Sequence, residues 1–279
     1  MKPAKFCAAA LVMLLSIMLV AGCAGSRDGA NGEENGAAGE TGTLVFTANG
    51  EEFAREGFLT KDGWEITFDH AYVTLSNITA YQTDPPYDVD QGWEINYEVK
   101  VELPGTYTVD LSDPGADPAV VAEETAAPAG KYNALSWNLV RAADGPAAGS
   151  VLLLAGRAAR GEEEIEFVIR LNEEVAYLGG EYIGDQRKGL LTAGGSAELE
   201  MTFHFDHLFG DGTEDENDPL NLDALGFDPL AALAVDGKVE VNTAALRESL
   251  DSENFELLQA IMIHLAHVGE GHCLARFLE

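Results

Sequence analysis

Positive charge is scarce in this 279-residue sequence, which has 16 lysines and arginines against 48 aspartates and glutamates. The resulting net charge of −32 disfavours contact with nucleic acid and with anionic lipid, because both of these partners are negatively charged. The same charge favours cations, and it also fits an organism that lives in high salt. Composition alone does not separate these two explanations.

Several sequence motifs of catalysis are missing. The chain has no G-x-S-x-G nucleophile elbow, no phosphate-binding P-loop and no glycine-rich dinucleotide motif. The acidic segment 211–223 also fails as an EF-hand calcium loop, since Glu216 stands where the loop needs glycine and Leu222 where it needs glutamate. We therefore expect a binding protein rather than an enzyme, and we interpret the acidic segment as a solvated loop.

Cysteine is the third scarcity, with three in the chain, and the second of them ends a distinctive N-terminal pattern. Two early lysines precede an uncharged apolar run over residues 6–20, which ends in Val20-Ala21-Gly22-Cys23. This segment resembles the signal peptide and lipobox of bacterial lipoproteins, which implies that Cys23 is lipidated and becomes the first mature residue. Only Cys273 would then remain, so no disulfide is expected within the mature chain.

The rest of the chain divides into three regions. A glycine- and alanine-rich stretch over residues 23–42 predicts a flexible tether behind the signal peptide of residues 1–22. Short alternating segments recur through residues 43–212 with polar turns between them, which predicts an antiparallel β-sandwich or barrel-like body. Residues 213–279 combine the acidic loop with helical spacing, which predicts a helical C-terminal annex packed on a mainly β fold.

The segment "AELEMTFHF" (197–205) reads as the last clear strand, and the candidate metal ligands begin at its end. Alternation places Leu199, Met201, Phe203 and Phe205 on an apolar face, so His204 and Asp206 should project together from the other face. His207 follows where the chain turns. Two imidazoles and a carboxylate form a competent ligand set for a divalent transition metal. A polar strand face with incidental histidines is the plainer alternative.

The same residues resemble part of a known pattern. The stretch is similar to the H-x-H-x-D-H motif of metallo-β-lactamase-fold hydrolases, with His204, Asp206 and His207 matching and Thr202 in place of the first histidine. The resemblance covers six residues and implies a metallohydrolase as an alternative function.

A second group of candidate ligands lies near the C-terminus. The segment 251–269 predicts the best helix of the chain, with an apolar stripe and a terminating glycine. Three more histidines and the last cysteine follow one another at its end, and the sixth histidine stands apart, at a break between two predicted strands. The C-terminal group would form a second site or complete the first. These further candidate ligands are His264, His267, His272, Cys273 and His70.

Together these patterns predict a lipid-anchored extracytoplasmic protein that binds a divalent transition metal, zinc in the first place and copper or nickel as alternatives. Its role would be metal capture, delivery to a transporter, or sensing, with the membrane as a partner through Cys23 and a transporter or envelope protein as a further partner. A cell-envelope interaction module without a metal is the competing class.

Overall fold

The computed structural model of the chain describes residues 40–115, 117–180, 188–269 and 271–279. The expected signal peptide, Cys23 and nearly all of the tether lie outside these residues. The first strand begins at Thr41, slightly before the predicted start of the folded body. Within the described ranges no helix is long and apolar enough to cross a membrane.

The described residues form a mainly β molecule in which short helices connect or follow the strands. The strands are β1 (Thr41–Asn49), β2 (Phe58–Leu59), β3 (Glu65–Gln82), β4 (Val99–Asp110), β5 (Ala119–Pro128), β6 (Gly130–Lys131), β7 (Ala134–Leu139), β8 (Leu152–Arg160), β9 (Glu163–Leu171), β10 (Val175–Gly180), β11 (Leu190–Leu191), β12 (Ser196–Phe203), β13 (Lys238–Asn242), β14 (Ala266–Val268), β15 (Gly271–His272) and β16 (Leu274–Phe277). The helices are α1 (Glu51–Glu56), α2 (Asp206–Phe209), α3 (Pro219–Asp223), α4 (Asp228–Ala231), α5 (Thr243–Ser249) and α6 (Ser252–His264), with a 3-10 turn at Val89–Gln91.

Two mixed sheets organise these strands. The five-stranded sheet has the order β15-β14-β12-β1-β5, and its central pair, β1 and β12, is parallel. The nine-stranded sheet has the path β13-β9-β8-β3-β7-β10-β16, with β2 and β4 also paired to β3, and its β9–β13 pair is parallel. The sequence predicted a purely antiparallel body, and these two parallel pairs differ from that prediction. Neither strand order closes on itself in the described ranges.

Both sheets contribute to one apolar core. Phe46 on β1, Phe203 on β12 and Val73 on β3 are fully buried members of the same cluster of packed side chains. Burying a large apolar side chain contributes about 1.5–3 kcal/mol, which makes this shared core the main source of stability. The break between two strands that was expected at His70 is an irregularity within one continuous strand, since the register of β3 against β8 shifts between Phe68 and His70.

The C-terminal region differs from a purely helical annex. Helix α6 buries the predicted stripe, but it ends at His264, and the residues that were expected to continue it form β14. Strands β14 and β15 extend the five-stranded sheet, whereas β13 and β16 lie at opposite edges of the nine-stranded sheet. The β-strand pattern after the helix is too short to be recognised from alternation, and pairing with β12 decides it.

The acidic segment is held in place by hydrogen bonds rather than left as a free loop. The Lys61 ammonium donates to the carbonyl oxygens of Asn221 and Ala224, and the buried Asn221 amide donates to the carbonyls of Asp211 and Asp215. Nearby, a carboxylate oxygen of Asp62 accepts the backbone N–H groups of residues 227 and 228. These contacts attach α3 and α4 to the turn between β2 and β3.

Phe205 is the core residue that we expect to anchor the turn after β12. It is fully buried, and its ring centroid lies 5.4 Å from that of Phe68. The Phe205→Ala variant should lose about 3–5 kcal/mol of unfolding free energy in chemical denaturation, because the change leaves a cavity. Leu222→Ala, at a position that is 61% exposed, is the control and should stay within about 0.5 kcal/mol of the parent. A loss below about 1 kcal/mol in Phe205→Ala would contradict the anchoring role.

Candidate metal site

The site is assembled at one edge of the five-stranded sheet. Strand β14 pairs antiparallel with β12 so that His267 lies directly across from Thr202, and β15 pairs with β14 so that His272 lies directly across from His267. Directly opposed residues of neighbouring strands have their side chains on the same face of the sheet. The backbone ladder thus brings the C-terminal histidines to the end of β12. This is the place where Thr202 replaces the first histidine of the H-x-H-x-D-H motif.

The turn after β12 differs from the strand end that alternation predicts. Strand β12 ends at Phe203, the backbone N–H of His204 donates to the carbonyl of Leu265, and helix α2 begins at Asp206. His204 is therefore buried rather than directed into solvent. The predicted apolar face is confirmed, since Leu199, Met201, Phe203 and Phe205 are all buried.

Four imidazole rings lie in contact with one another at this turn. The ring centroids of His204 and His207 are 5.3 Å apart, those of His204 and His267 are 4.4 Å apart, and those of His207 and His267 are 5.2 Å apart. His272 lies 4.6 Å from His267. His264 is close enough to affect the protonation of His267 electrostatically. Five of the six histidines thus form one group, which we call the histidine cluster.

Hydrogen bonds to two of these rings determine which nitrogen carries the proton. His207 Nδ1 lies 2.9 Å from the carbonyl oxygen of His264, and because a carbonyl only accepts, this nitrogen must be the donor. His204 Nδ1 lies 3.2 Å from a carboxylate oxygen of Glu51, so it is also the donor. In the neutral form of both rings, Nε2 then keeps its lone pair, which is the form that binds a metal.

Burial favours the neutral imidazole at two members of the cluster, His267 and His207. Desolvation, helped by the neighbouring histidines, lowers the pKa of His267 to about 3. Desolvation also lowers the pKa of His207, although the Asp206 carboxylate opposes that change. Nε2 of His267 is buried and makes no hydrogen bond within the described part of the chain. A buried ring nitrogen without a hydrogen-bond partner is uncommon, and in the tautomer that leaves its lone pair free a bound cation would satisfy it.

Two carboxylates accompany the histidines. Desolvation raises the pKa of Asp206, and the positive charge that His207 and His204 can carry works against this rise. The hydrogen bond from His204 lowers the pKa of Glu51, which keeps that carboxylate ionised. Glu51 follows β1 with a left-handed backbone (φ 58°), and its N–H donates to the Asn49 side chain. Sequence inspection missed Glu51, because one glutamate among 48 acidic residues carries no local signal.

The remaining two candidate ligands have other contacts. His70 Nδ1 lies 2.7 Å from a carboxylate oxygen of Asp110, and its exposed ring stacks on Tyr72 at 5.1 Å. The Cys273 sulfur packs against Gly179, and burial raises the pKa of the thiol well above its usual value, although the Val268 N–H donates to the sulfur. A protonated, buried thiol is a poor metal ligand, since metals bind the thiolate.

A cavity of about 590 Å³ lies next to the cluster. Its histidine walls come from His207, His264 and His272, and its acidic wall comes from Asp223. Helices α3 and α6 supply the apolar walls through Pro219, Leu220, Leu257, Ala260 and Ile261. The cluster is therefore accessible from one side, where two exposed histidines lie.

The side chains do not yet have the arrangement of a bound metal centre. Within the described ranges, no group of three or more His, Cys, Asp or Glu side chains is positioned to hold a metal ion. The rings have the spacing of a metal site, but their donor atoms do not all converge. The chain matches no protein-family model, no curated protein and no solved structure, so its function is inferred from the geometry.

The low pKa of His267 predicts a pH-dependent stability of the metal-free protein. Between the ordinary histidine pKa of about 6.5 and the folded value of about 3, the unfolded chain binds a proton that the folded chain does not. Stability should therefore fall as the pH is lowered through this window. When the pH is lowered from 7 to 4.5, the guanidinium concentration at the midpoint of unfolding should fall less for His267→Gln than for the parent. The exposed His264→Gln variant is the control, and an unchanged pH dependence in His267→Gln would refute the assignment.

Proposed function

We propose that the protein binds a divalent transition metal, with zinc as the first candidate, through the imidazoles of His204, His207 and His267. The observation that supports this most directly is the spacing of the three rings, which lie 4.4–5.3 Å apart. In a tetrahedral site with Zn–N distances of about 2.0–2.1 Å, the centroids of neighbouring imidazoles are about 5 Å apart. Three imidazoles also match the ligand preference of zinc, copper and nickel.

The surrounding groups support the same proposal. Glu51 accepts the Nδ1 proton of His204, and the His264 carbonyl accepts that of His207, which is the arrangement that orients metal-binding histidines in known metal sites. Asp206 and Glu51 supply negative charge that would offset the charge of a bound dication. Because the donor atoms do not converge in the described geometry, binding requires rotation of the rings about their side-chain torsions.

A role in metal capture, delivery or sensing fits the position of the site. His264 and His272 are exposed and line the cavity beside the buried rings, so an ion could be passed between them and the interior. The lipobox resemblance at Cys23 supports attachment to a membrane by lipid on its extracytoplasmic side, at the cell surface or in the periplasm, with a transporter or envelope protein as the partner. The two sheets that share one core support a sandwich-like body.

Metal titration of the purified full-length chain tests this function. After removal of metals by a chelator, zinc added in competition with a fluorescent indicator should bind with micromolar or tighter affinity. The His204→Ala/His207→Ala double variant should bind at least about 100-fold more weakly, because it loses two of three ligands. His70→Ala is the matched control and should bind like the parent.

Two results would contradict the proposal. Zinc, copper and nickel affinities no tighter than millimolar would leave an interaction module without a metal as the better interpretation. A double variant that binds as well as the parent would exclude His204 and His207 as ligands, provided that circular dichroism shows both proteins folded. Binding that survives this change and is lost in His264→Ala/His267→Ala would move the site to the C-terminal histidines.

Glu51 should act as a positioning residue for His204. Glu51→Gln removes the carboxylate but keeps the size of the side chain, and we expect metal affinity to fall about 10- to 100-fold, the effect that such hydrogen-bonding partners have in other metal sites. The exposed Glu52→Gln is the control at the next position of the same helix. Equal affinities for the two variants would show that Glu51 does not support the ligand.

A further inference from the structure

The cavity beside the histidine cluster is larger than metal exchange alone requires. At about 590 Å³ it lies within the range of about 300–1,000 Å³ that is typical of pockets for small organic molecules. One end of it is formed by imidazoles, and its sides are formed by the apolar residues of α3 and α6. Apolar walls with a few polar groups at one end are the usual pattern of such pockets.

The walls of the cavity are formed by two helices that are attached to the rest of the fold. Helix α3 begins at Pro219 with the Asp218 side chain as its N-cap, and Lys61 donates to the carbonyls of Asn221 and Ala224 at its other end. Helix α6, on the other side, buries its own apolar stripe in the shared core. Both walls of the cavity are therefore attached to the rest of the fold.

Charge limits what can enter. The chain has a net charge of −32, and Asp223 lies in the cavity wall, so an anionic molecule is repelled from the metal-free protein. Of the three proposed ligands, His207 lines the histidine end of the cavity, so a dication bound to it would bring positive charge to that end. Three protein ligands would leave one coordination position of a tetrahedral ion for a further ligand. The histidine end then attracts an anionic donor group, while the apolar walls attract a hydrocarbon body.

We propose that the cavity binds a small organic molecule whose anionic, metal-coordinating head completes the coordination of the ion and whose apolar body packs between α3 and α6. This inference rests on the proposed metal site. The organic molecule binds only when the metal is present, because its head coordinates the ion. The ion therefore binds first and the organic molecule second.

Two hydroxamates of different length test the inference on the full-length protein. Acetohydroxamate has the coordinating head alone, and octanohydroxamate adds an alkyl chain. In calorimetric titrations of the zinc-loaded protein, octanohydroxamate should bind at least about 30-fold more tightly, since each buried methylene contributes about fourfold. Neither compound should bind the metal-free protein measurably.

A variant that fills the cavity separates this inference from the metal site. Ala260 is exposed and lines the cavity, so Ala260→Trp should abolish the preference for octanohydroxamate and leave zinc affinity unchanged. Glu253→Trp, at an exposed position of the same helix outside the cavity, should keep the preference.

The outcomes distinguish the two proposals. Zinc binding of the expected affinity together with equal binding of the two hydroxamates would overturn the inference and leave the proposed function standing. Octanohydroxamate binding that is independent of zinc, or unchanged by Ala260→Trp, would also overturn it. A protein that binds no zinc would refute the proposed function itself, and the inference with it.

Discussion

The pairing of β14 with β12 is the constraint on which the site depends. It places Thr202 opposite His267 and Phe203 opposite Ala266, and so it brings the end of the chain to the turn after β12. Without this ladder, the histidines of the two regions would belong to separate segments. The ladder is in turn held by the parallel pairing of β12 with β1, which also delivers Glu51 at the end of β1.

Burial explains why the histidine cluster is chemically unusual. A group of imidazoles on a surface would titrate near neutral pH, but desolvation lowers the pKa of His267 and of His207. This burial costs folding free energy, because polar ring atoms are placed in the interior. One of them, Nε2 of His267, has no hydrogen-bond partner in the described ranges. Such a cost is tolerated in proteins where the groups serve a ligand, which is the physical basis for the proposed metal site.

The acidic segment is organised by hydrogen bonds to its own aspartates. Asp211, Asp215 and Asp218 accept hydrogen bonds from nearby backbone N–H groups, which organises the approach to α3. Through Asn221 and Lys61 this segment is attached to the β2–β3 turn, and it forms one wall of the cavity. The acidic segment, which its composition predicted to be a solvated loop, therefore shapes the entrance to the histidine cluster.

Alternation and helical spacing in the sequence determined the mainly β fold, the irregularity near His70 and the buried stripe of α6, because these features depend on neighbouring residues. The sequence also singled out the histidines, through their rarity. Only the tertiary structure decided that five of them form one cluster, that Glu51 joins it, and that His70 and Cys273 have other partners. Strand pairing between distant segments and burial under the core produce these contacts, and neither leaves a local pattern in the sequence.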